Sequence, residues 1–176
     1  MARGAGLGRK AARCSVAAGV MGAAMEAVLK LRFTKGPGKV DRLELIQPDG
    51  TTHHVDCPKQ RIIPHDMVHF AVEEVLAAQG FLSRVRDGEA ADVRMAGNAV
   101  SDGVERLVEV MQADGWSPGG GAADVIALYH VTCDARSCPP LPITEELVTR
   151  LRERIAALTM AWDAVAVGEA MELRLG

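Results

Sequence analysis

Aromatic side chains make up only 3% of this 176-residue chain. Without interleaved Phe, Tyr and Arg there is no stacking platform for single-stranded nucleic acid, and any core has to be aliphatic. Charge of one sign is lacking as well. A formal net charge of −3 offers no basic face that could neutralise a run of phosphates, so nucleic acid is not an expected partner. The cysteines, Cys14, Cys57, Cys133 and Cys138, are too few and too scattered for the disulfide framework of a small secreted domain. Reduced thiols in the cytoplasm fit them better. Only Cys133 and Cys138 are close in sequence, and no second pair completes a zinc ribbon.

A long hydrophobic run is missing too. Residues 15–24 are mostly Ala and Gly, well short of a bilayer span or a strong secretory core, and a membrane partner is not expected. Because Arg3, Arg9, Lys10 and Arg13 precede this run, it has the outline of a signal or transit peptide. Residues 1–24 are expected to be a disordered or dispensable extension, with a targeting segment, an extra helix or a natural start at Met25 as the alternatives. There is no phosphate-binding Gly-x-x-x-x-Gly-Lys loop, and the Gly119 to Gly121 run lacks the preceding strand that a dinucleotide fold requires.

What is present is enough apolar material, 48% of residues, to bury a core in a soluble domain. Leu29, Leu31 and Phe33 alternate with Lys30, Arg32 and Thr34, the pattern of a half-buried strand. The turn Lys35 to Lys39 leads into a second alternating segment, residues 40–46. Pro48-Asp49-Gly50 leads into a third, residues 51–57, so that three strands form a meander. A helix is expected from Pro64 to a stop at Gly80, and residues 83–98 read as a connection with at most a short helix. Helical spacing predicts a second helix from Val100 to Gly115 and a third from Ala122 to Arg136, so apolar that it should be central. Thr144 caps a last long helix carrying Leu147, Leu151, Ile155, Leu158 and Trp162 as its stripe. Met171, Leu173 and Leu175 alternate once more, and a strand there finds its neighbour at the free side of the first strand. The sum is an α+β fold: a four-stranded, mostly antiparallel sheet with about four helices on one face, in a single domain over residues 25–176.

Chemistry concentrates between Pro64 and Glu74. At a helical period His65, His69 and Glu73 fall at i, i+4 and i+8, and Asp66 shares the strip. Two histidines one turn apart form a metal-ligand pair, while a histidine between carboxylates forms an acid/base site. His65-Asp66-x-x-His69 resembles the His-Glu-x-x-His helix of zinc metallopeptidases, with Asp66 where that family has glutamate. The resemblance covers five residues. It implies zinc or another divalent metal on His65 and His69, a third ligand from elsewhere, and Asp66 as base toward a metal-bound water, one methylene shorter than the family's glutamate. His130, one turn before Cys133 on the third helix, is the candidate third metal ligand, with Glu73 as the alternative. Asp66 and Glu73 are the candidate catalytic carboxylates.

The same strip also reads as an ordinary helix surface, with His65 solvating the first turn and Asp66 complementing the helix dipole. Two functions follow. The first is a non-enzymatic binding or self-association module. Its contact surfaces would be the open edge of the meander and the aliphatic helical layer, and its partner another protein or a second copy in a homo-oligomer. The second is a metal-dependent hydrolase built on the His65-Asp66-x-x-His69 helix.

Overall fold

Alternation of apolar and charged residues sets the sheet. In the computed structural model, which describes residues 27–91 and 97–176, Leu29, Leu31 and Phe33 of β1 (Leu29–Thr34) are buried while Lys30 and Arg32 are exposed. β2 (Val40–Ile46) buries Leu43 and Leu45 in the same way, and β3 (Thr52–Pro58) buries Cys57. β4 (Ala170–Leu175) returns to β1 with Leu175 opposite Leu29 and Leu173 opposite Leu31. The order is β3-β2-β1-β4, and every pair is antiparallel. The chain therefore has an α+β fold, with the closing strand on the edge that its alternation predicts. The extension expected over residues 1–24 lies outside the described residues.

Among the described residues there are five helices, the four expected and a short one: α1 (His65–Leu76), α2 (Phe81–Arg86), α3 (Ala99–Trp116), α4 (Ala122–Ala135) and α5 (Glu145–Asp163). α1 stops short of Gly80, where Ala77 takes the left-handed conformation at φ 49°. Gly80 is needed for a different reason. A Cβ there would lie 2.5 Å from Glu73 Oε1 and 2.7 Å from Val104 Cγ1, so only glycine lets the Glu73 carboxylate reach the start of α2. α2 begins two residues before the stretch read as a connection with at most a short helix, and is anchored by buried Leu82 and Val85. Asn98 caps α3, its Oδ1 accepting from Val100 N and Ser101 N at 3.0 and 2.9 Å, and Ser101 Oγ accepts in return from Asn98 N. Thr144 Oγ1 caps α5 by accepting from Leu147 N at 3.2 Å.

The central helix is α1, not α4. α1 packs between α3 and α5 and buries Met67, Val68, Phe70, Ala71 and Val72. α4 packs against α3 and α5 but buries only Val125, Tyr129 and Cys133. Leu128 and Val131 stay on the outside. No helix among the described residues is long and apolar enough to cross a membrane.

Candidate metal centre

α1 and α3 bring together polar residues that lie far apart in sequence. His65 and His69 stand one turn apart on α1, their rings edge to face with centroids 4.8 Å apart. Glu105 of α3 places Oε2 3.1 Å from His69 Nε2 and Oε1 3.9 Å from His65 Nε2. Both Nε2 atoms thus converge on one carboxylate. The other nitrogen of each ring faces an acceptor. Gln112 Oε1 is 2.9 Å from His65 Nδ1, and because Gln112 Nε2 donates to Gln60 Oε1 at 2.6 Å, Gln112 Oε1 can only accept. A proton therefore sits on His65 Nδ1, facing Gln112. Behind His69, Glu73 Oε1 stands 3.6 Å from Nδ1, and that separation is too long for a hydrogen bond. Metal-binding imidazoles are held as His65 is, with one nitrogen for the ion and the other oriented by an oxygen, whereas the buried His69 Nδ1 has no hydrogen-bond partner among the described residues.

Electrostatics at the cluster are strongly coupled. His69 is only 4% exposed. Burial opposes a charged imidazole there, but Glu105 and Glu73 outweigh it and raise the His69 pKa to about 9. His69 in turn is the main cause that holds the Glu105 carboxyl below the ordinary carboxylate range, against the opposing effect of burial, and His65 and Arg106 add to it. One buried cation sits between two carboxylates, and an ion bound at Nε2 would have to displace the proton that they favour there. One ligand atom each from His65, His69 and Glu105 lie within 4.8 Å of one another, whereas the ligands of a tetrahedral zinc stand about 3.4 Å apart.

The three residues line a cleft of about 800 Å³ that also takes in Cys57 and Pro58 of β3 and Phe81 of α2. Asp66 lines it too, as the sequence strip implied, but Asp66 Oδ2 accepts from Cys57 Sγ at 3.6 Å rather than joining the triad. Burial, and after it the Asp66 carboxylate, push the Cys57 thiol far above its ordinary range, so this sulfur is a poor nucleophile.

Glu73 sits elsewhere. It is 1% exposed and accepts from Leu82 N, Ser83 N and Ser83 Oγ at 2.9, 2.7 and 2.7 Å. It therefore caps α2, whose own N-cap residue Gly80 has no side chain to do so. Glu73 does not line the cleft.

His130, the candidate third ligand, is not brought to the cluster. α4 turns Val125, Tyr129 and Cys133 inward, which leaves His130 exposed on the outer side. The residue that stands beside His65 and His69 is Glu105 instead. A signal for it exists in the sequence: Ser101, Glu105 and Gln112 recur at i, i+4 and i+11 on one face of α3, a polar strip to match the one on α1. The string Gly115-Trp116-Ser117-Pro118-Gly119 fits the spacing of a serine-hydrolase elbow, but Ser117 is the C-cap of α3, with a helix where that motif has a strand.

No family model, curated protein or solved structure matches the chain. Function is therefore argued from the cleft itself.

Proposed function

We propose that the cleft is a divalent-metal centre and that the protein is a metal-dependent hydrolase. One observation carries this reading: His65 Nε2 and His69 Nε2 converge on Glu105, with an acceptor placed behind each ring. Two imidazoles and one carboxylate suit zinc or a neighbouring transition metal. Three protein ligands leave a coordination position facing the cleft, the pattern of catalytic rather than closed structural sites. An ion held there would acidify a bound water and polarise a carbonyl or phosphoryl oxygen. Asp66 and Glu109 are carboxylates in the cleft that would take up the proton released. The acidic lining, with Asp56 and Asp102 added, also favours cation uptake.

The test is metal analysis of protein purified without chelators and dialysed after zinc loading. About one ion per chain is expected to survive. Glu105→Ala and His65→Ala, both at partly exposed positions, should lose most of it while keeping the fold. Metal-dependent turnover of p-nitrophenyl acetate or bis-p-nitrophenyl phosphate should follow the metal content. No retained ion, or equal retention in both variants, removes the metal reading; retention without turnover removes the hydrolase and leaves a metal-binding protein.

One observation favours a second reading. His69 is already balanced by Glu73 and Glu105 without an ion, as suits a structural polar cluster in a binding or self-association module. On that reading zinc leaves the melting temperature unchanged.

A further inference from the structure

Among the described residues no strand pairs with the outer side of β4, and the hydrogen-bonding groups of that edge can be assigned. Lys35 N donates to Glu169 O at 2.9 Å, so these two residues face each other across the ladder. Alternation fixes the rest: Met171, Leu173 and Leu175 turn their N–H and C=O groups toward β1, and Ala170, Glu172 and Arg174 turn theirs outward. Arg86 Nη1 takes the Gly176 carbonyl, so the free template runs from Ala170 to Arg174. The opposite edge of the sheet is blunted. Lys59 N donates to Lys39 O, which makes Pro58 an outward position, and proline has no amide to offer there.

Charge selects the strand that fits β4. Among the described residues neither Glu172 nor Arg174 has an ion-pair partner; the cross-strand neighbour of Arg174 is Lys30, a like charge, and that of Glu172 is Arg32, which pairs with Glu44 instead. A second β4 running antiparallel about a twofold axis at Leu173 sets Glu172 opposite Arg174 of the second copy and Arg174 opposite its Glu172. Both are hydrogen-bonded positions, where the backbone groups point outward. On the other face Met171 meets Leu175 of the second copy and Leu173 meets its own counterpart, which covers Met171 and Leu173, both only partly buried in the single chain. A twofold axis at Glu172 or Arg174 would oppose like charges instead.

We propose that a second copy of this chain binds along β4 in that register, joining the two sheets into one. The inference does not rest on the metal reading. Sedimentation of the full chain over a hundredfold concentration range should show a monomer–dimer equilibrium. Glu172→Arg should weaken the dimer about tenfold or more, since arginines then face each other. The charge swap Glu172→Arg with Arg174→Glu should restore it. Glu172→Pro, which removes an outward amide and leaves the ladder to β1 intact, should abolish it. Thermal melts of each variant report whether the fold is retained, and zinc content should be equal in all of them, which separates this test from that of the metal centre. A chain that stays monomeric at every concentration overturns the proposal. So does a dimer indifferent to Glu172→Arg and Glu172→Pro, or a charge swap that fails to rescue.

Discussion

α4 is nearly apolar around its whole circumference and sits at the margin of the helical layer. α1 carries His65, Asp66, His69, Glu73 and Glu74 and lies at its centre. The difference lies in what each helix finds beside it. α1 is flanked by α3 and α5, and the polar groups it buries find partners on neighbouring elements: Glu105 for His69, the first amides of α2 for Glu73. A buried carboxylate costs little when donors surround it, whereas an exposed leucine costs almost nothing anywhere. Apolar content ranks helices by what they can tolerate, and packing partners decide what they bury.

Substitutions in the two helices should therefore run against hydropathy. The largest effect is expected for Glu73→Ala, which strips the acceptor from Leu82 N, Ser83 N and Ser83 Oγ and leaves His69 with one carboxylate. Removing one partner of a buried ion pair costs about 3 to 5 kcal/mol, read from urea unfolding. An effect under about 1 kcal/mol would mean that α2 supports itself. Next comes Tyr129→Phe on the inner face of α4. Its hydroxyl donates to Gly103 O at 3.1 Å and accepts from Leu141 N at 2.8 Å, so its loss should cost about 1 to 3 kcal/mol. Smallest is the pair Leu128→Lys and Val131→Lys, both on the outer face, each expected within about 0.5 kcal/mol of the parent. A loss of about 2 kcal/mol there would show that the outer face of α4 is covered in solution.

The sheet was legible because strand alternation is a short-range signal. Leu29, Leu31 and Phe33 report their own face, and so do Met171, Leu173 and Leu175. Helix burial is a different matter, because periodicity identifies a stripe without naming its neighbours. α4 was misplaced for that reason. The end of α1 at Leu76 was hidden by Gly80, which reads as a helix stop but serves to admit Glu73. α2 was hidden by its brevity and by Arg84 and Arg86 within it. In the candidate site His65, Asp66 and His69 were found from spacing within one helix. Glu105 was missed because its link to them exists only after α1 and α3 have packed. His130 was chosen in its place from proximity to Cys133, a local relation that says nothing about which way α4 turns.

The pairing of β1 with β4 has a bearing on how the molecule is made. β1 is an interior strand of the sheet, yet one of its two neighbours is the last of the described elements to be synthesised. While the ribosome is adding the helices, the Leu29–Thr34 backbone presents unpaired donors and acceptors to any strand that comes near. Closure of so long a loop is slow compared with formation of the β1–β2 hairpin. Nascent chains on the same message would then carry an exposed edge for the whole of helix synthesis, and β1 is where a chaperone would find its hold.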